Sequence, residues 1–116
     1  MMEPKDELQK IKQQFYQLEE KFDNLERSRK RVDYIDERYQ ELFHRITKMY
    51  RDLEQHSEMR EFFQMQQDRL RQSEQAIFSR LDEEKESLLY KRRQLYQEED
   101  DLAHQKRRMY LNEDAL

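Results

Sequence analysis

From Leu8 the apolar residues step three, four, three, four: Leu8, Ile11, Phe15, Leu18, Phe22 and Leu25. On a helix that spacing lines one face with a continuous seam, the pattern of two helices packed side by side. A strand would need alternation by two, which the stretch does not have. Nothing breaks the pattern locally, because the sequence has no Gly and only one Pro, at position 4. The constraint is therefore strong: a chain like this builds long helices.

Beyond Leu25 the seam place falls on Arg29 and then Val32. The apolar positions continue as Ile35, Tyr39, Leu42, Ile46, Met49 and Leu53, which shortens one step after Val32. Such an inserted three is a stammer, which overwinds a coiled coil without ending the helix. The basic run Arg27 to Arg31 sits on this slip. Tyr34, Phe43 and Tyr50 widen the stripe here, and a wide stripe calls for more than one neighbouring helix. Periodicity lapses through Glu54-Gln55-His56-Ser57, with Ser57 placed as an N-cap and Glu58 and Glu61 as first-turn acids of a second helix. That helix carries Met59, Phe62, Phe63, Leu70, Ile77 and Phe78. A shift of four then leads to a ladder of Leu81, Leu88, Leu95, Leu102 and Met109. The second seam place of this ladder is charged, with Leu89, Tyr96, Ala103 and Tyr110 beside it.

Composition chooses between rods and a globule. Only 34% of the residues are hydrophobic, 43% are charged and the mean hydropathy is -1.45, too little apolar matter for one round core. The expected fold is all-α, a long antiparallel helical hairpin with coiled-coil-like packing, forming one domain over 1–116. Its helices should span about 6–54 and about 58–111, with a turn at about 55–57. Residue i then faces a residue near 112 minus i. Two helices cannot cover both stripes, so a further helical partner is expected. The packing residues are Phe15, Phe22, Tyr39, Phe43, Ile46, Tyr50, Phe62, Phe63, Leu70 and Ile77, shared between the inner seam and that partner.

The 23 basic and 27 acidic residues are interleaved and leave a net charge of -4, which suits a solvated helix surface rather than nucleic acid. The basic clusters Arg27 to Arg31, Lys91-Arg92-Arg93 and Lys106-Arg107-Arg108 all have acids close by. No apolar run is long enough to insert in a membrane, and the first residues lack the apolar core of a secretory signal. With no cysteine, a reducing, cytoplasmic setting is expected, with export by another route if the chain leaves the cell.

Enzyme chemistry finds little support, and no metal or cofactor is expected. Glu41-x-x-His44 and Asp101-x-x-His104 each resemble half of a di-iron carboxylate site, but the hairpin holds the halves far apart. His56 and Ser57 are neighbours without a glycine-built oxyanion loop, and a phosphate-cradling loop needs glycine too. Phe78 with Asp82, Tyr96 with Asp100, and Tyr110 with Asp114 set a ring and a carboxylate four residues apart, on one helix face.

Three stretches of the second helix carry a likeness: Met59-Arg60-Glu61-Phe62-Phe63, then Ala76-Ile77-Phe78 through Leu81-Asp82-Glu83-Glu84-Lys85-Glu86, and Tyr96-Gln97-Glu98-Glu99-Asp100-Asp101-Leu102. Over roughly residues 40 to 110, the chain resembles the small helical proteins associated with LXG toxins in Gram-positive bacteria. That resemblance implies a targeting chaperone that binds the helical LXG domain of a toxin for type VIIb secretion, together with a second small helical protein. It also makes Phe78 and Asp82 a candidate imitation of the companion's export motif. The chain has neither Trp nor Gly, so it departs from the Trp-X-Gly hairpins themselves. Two alternatives share its composition: a self-associating coiled-coil scaffold acting as a homodimer, and a stalk or export-coupling subunit of a secretion ATPase.

Overall fold

The structure, a computed structural model, describes residues 3–56 and 58–114. Two helices account for nearly all of them: α1, Pro4–His56, and α2, Arg60–Asp114. They pack antiparallel as a hairpin, and the described residues include no strand. Proline at the first helical position loses no intrahelical donor, and Asp6 and Glu7 face the positive end of the helix dipole. The Glu3 carbonyl accepts the Asp6 and Glu7 amides at 3.0 and 3.1 Å, so the helix closes from its first turn.

The turn falls later than the sequence pattern indicates. Helix α1 runs on to His56, Glu58 and Met59 make the turn, and the Phe63 amide donates to the Met59 carbonyl at 3.1 Å as α2 begins. Ser57, the expected N-cap, lies outside the described residues. No described residue has a positive φ. Moving the turn also moves the pairing. Phe22 meets Tyr96 and Phe43 meets Phe78, where a turn at 55–57 would give partners near about 90 and about 69.

Contacts divide the hairpin into two compact units, a terminal unit of the residues up to Ser28 and from Ser87 onward, and a turn unit of Arg29–Glu86. In the terminal unit Ile11, Leu18 and Leu95 are buried between the helices. The Phe22 and Tyr96 rings lie 5.1 Å apart and tilted, and Lys21 pairs with Glu98 at 3.5 Å. The Lys106 ammonium sits 5.8 Å from the Phe15 ring centroid. The ladder Leu88, Leu95, Leu102 and Met109 is turned inward here as its period indicates, and half-buried Lys106 occupies its second seam place.

In the turn unit Val32, Phe43 and Leu81 are buried. The stammer is absent. Inward positions of α1 run Val32, Asp36, Tyr39, Phe43, Ile46 and Tyr50, the unbroken heptad continuation of Leu8 to Leu25. Leu42, Met49 and Leu53, which the apolar pattern places in the seam, are exposed instead. The physical reason is that the seam place after Val32 holds a carboxylate, Asp36, and a count of apolar residues skips it. The irregular step belongs to α2, where Ile77, Leu81 and Lys85 turn inward at successive intervals of four. Two fours in a row are a stutter, which locally unwinds the pair.

Candidate partner-docking surface

Nine of the ten expected packing residues turn at least partly inward: Phe43 is buried, and Phe15, Phe22, Tyr39, Ile46, Tyr50, Phe63, Leu70 and Ile77 are half-buried. Phe62 alone is exposed, its ring resting edge-on against Phe63 at 5.5 Å, while Phe63 meets Tyr50 at 6.2 Å. Most of the list is therefore the hairpin's own seam. Phe78 is half-buried 5.8 Å from Phe43, so its ring is engaged within the hairpin, whereas Asp82 is exposed. The two are not displayed together as a ring beside a carboxylate.

One flank of the turn unit is tied by polar cross-links that the sequence pattern did not reveal. Lys85 donates to Asp36 across 49 positions of sequence, with side chains 35% and 15% exposed. Gln40 also donates to Asp36, at 3.4 Å. The hydrogen bond from Lys85 holds the Asp36 carboxyl below the usual carboxylate range despite the opposing cost of burial. The same bond raises Lys85, helped by the charges of Asp36, Asp33 and Asp82. Nearer the turn, the two oxygens of Glu54 accept the Gln64 and Gln67 side-chain amides at 2.8 and 3.0 Å. Gln67 is the one polar side chain buried among the described residues, so this bond satisfies a group with little access to water.

The opposite character appears along a second line of α1. Ile35, Leu42 and Met49 repeat every seven residues, which sets them in one row beside the seam. Leu42 is 48% and Met49 56% exposed, although α2 is already packed on the helix. Met59, in the turn, and Phe62, on the first turn of α2, add exposed apolar surface here. A shallow groove of about 540 Å³ follows the α1 row, with Tyr34, Ile35, Tyr39 and Leu42 as its apolar wall and Arg38, Glu41 and Arg45 at its edge. Hydrophobic residues scattered singly need no explanation, but a contiguous row does.

The remaining motifs are occupied by local contacts. Glu41 lies 3.8 Å from Arg38, and the His104 ring nitrogen Nδ1 donates to the Asp100 carbonyl at 2.7 Å. Glu41 with His44 belongs to the turn unit, and Asp101 with His104 to the terminal unit. No group of three or more metal-ligating side chains gathers among the described residues. Arg29 pairs with Asp33 at 3.0 Å, and Arg92 lies over the Tyr96 ring. No described helix is long and apolar enough to cross a membrane. The Asp114 side chain lies outside the described ones, so its pairing with Tyr110 is not described. Comparison with family models, curated proteins and solved structures gave no match.

Proposed function

We propose that the chain is a non-enzymatic adaptor, a cytoplasmic targeting chaperone that packs against the helical LXG domain of a toxin bound for type VIIb secretion. The observation that carries the docking half of this reading is the row of half-buried Ile35 and exposed Leu42 and Met49, with exposed Leu53 nearby, on a helix whose other stripe is already taken by α2. Amphipathic helices seat in such grooves by placing anchors at intervals of three, four and seven residues. The toxin half rests on the resemblance of residues 40 to 110 described above. Coexpression with an LXG domain should yield a complex that copurifies and sizes as a heteromer. Leu42→Glu with Met49→Glu should abolish it while helicity and melting temperature hold, because neither side chain supports the hairpin seam. A complex indifferent to both substitutions would remove the row from the interface. A chain that sizes as a tight homodimer and ignores the toxin would favour the scaffold reading.

A further inference from the structure

We infer that the α1 groove of the turn unit selects an amphipathic helix whose apolar stripe is edged with carboxylates; this rests on the docking reading above and adds the chemistry of the occupant. Arg31, Arg38 and Arg45 repeat every seven residues, so they form a row of their own. Each stands three or four residues from Ile35, Leu42 or Met49, which makes them neighbours of the apolar row on the helix surface. Arg69 lies on α2, one heptad after exposed Phe62. Arg31, Arg45 and Arg69 have no ion-pair partner among the described residues, and Arg38 has only its solvent-exposed contact with Glu41 at 3.8 Å. Basic edges along an apolar groove complement acidic edges on an incoming helix, and such rim charges set specificity and encounter rate.

A second copy is a poorer occupant. Antiparallel two-fold pairing of α1 through this face sets the same edge against itself, arginine row against arginine row. Like charges brought together across an interface disfavour that partner.

The test uses the full chain and two synthetic helical peptides of roughly 21 residues, three heptads, sharing one leucine seam and flanked by Glu in one and Lys in the other. Fluorescence anisotropy at about 50 mM and about 500 mM salt reads the rim contribution against its screening. The Glu-flanked peptide should bind about tenfold more tightly at low salt, the preference expected from two or three rim contacts. High salt should shrink that ratio, and Arg38→Glu with Arg45→Glu should reverse it. Equal binding of both peptides, lost on Leu42→Glu, would overturn the acidic-edge inference while leaving the docking reading standing. Binding of neither peptide, together with an LXG complex indifferent to Leu42→Glu, would remove both. A homodimer dissolved by Leu42→Glu, or duplex DNA binding lost on arginine reversal, would also overturn the inference by naming another occupant.

Discussion

Removing one member of the Asp36–Lys85 pair should destabilise the hairpin unequally, with Lys85→Gln costing more than Asp36→Asn. After Asp36→Asn, Lys85 is a third open to solvent and still has Asp33 and Asp82 in its field. After Lys85→Gln, the Asp36 carboxylate is left 15% exposed with no cation, and the same two acids no longer have the ammonium between them. Exposed ion pairs contribute up to about 1 kcal/mol, whereas breaking a buried one costs about 3–5 kcal/mol. Partial screening at this site puts the losses at about 1 kcal/mol for Asp36→Asn and about 2 kcal/mol for Lys85→Gln. With an unfolding entropy of about 2.1 cal/mol/K per residue over 116 residues, the melting temperature should fall by about 4 °C and about 8 °C. The pH dependence follows from the directions of the shifts. Asp36 is lowered from 3.8, so its contribution is fully present above that value and is lost as pH falls through the lower folded-state value. Lys85 is raised from 10.5, so its contribution is present below that value and disappears as pH climbs through the higher folded-state value. Circular dichroism melts of native and variant chains should therefore show the Asp36→Asn deficit at about pH 7 and little of it at about pH 2. Equal losses for both variants, or a deficit unchanged between those pH values, would refute the argument.

Glu54→Ala should cost about 1–2 kcal/mol in a denaturant titration, because it strips the acceptor from the buried Gln67 amide; the same substitution combined with Gln67→Leu should recover much of that loss. Phe43→Ala should cost about 3 kcal/mol, since its buried ring holds Tyr39 at 6.1 Å and Phe78 at 5.8 Å and the slim core cannot close over the gap. Carbodiimide cross-linking followed by mass spectrometry should join Lys21 to Glu98, 3.5 Å apart. The earlier turn would bring Lys21 opposite Lys91, a pair this reagent cannot join.

The parts of the hairpin legible in the sequence are those where apolarity and the seam coincide. Leu8 to Leu25 and Leu81 to Met109 are read directly as heptads, and both turn inward. Glu54 to Ser57 mark a reversal, but with no Gly or Pro to fix its centre the pattern sets the turn at about 55–57, whereas Glu58 and Met59 form it. Between Tyr34 and Leu53 two apolar stripes overlap, sharing Tyr39 and Ile46, and counting hydrophobic residues picks the outward one. Heptad arithmetic alone would have found the inner one, because Phe22, Arg29, Asp36, Phe43 and Tyr50 are evenly spaced by seven. The partner of Asp36 was hidden for another reason: Lys85 is 49 residues away, and local periodicity holds no information about a contact made only when the chain folds back.

That ambiguity is also physical, because both stripes of α1 carry apolar side chains, and Asp36 and Glu54 find their cross-helix partners only when the inner one is covered. A rotation that buried Leu42 and Met49 would carry Asp36 away from Lys85 and Glu54 away from Gln67, leaving polar groups with weaker partners. The pair thus acts on choice more than on strength, as polar seam residues do when they fix coiled-coil register. Replacing both members with Leu should therefore separate stability from specificity. The Asp36→Leu, Lys85→Leu chain should melt at or above the native temperature, since an apolar seam commonly matches or exceeds an ion pair in strength. Its α2 should nevertheless sample both stripes, spread the Lys21–Glu98 cross-link over neighbouring acids and bind the Glu-flanked peptide more weakly. A double-leucine chain with native cross-links and native peptide affinity would show that packing alone orients the helices, and that the exposed row does not depend on the pair.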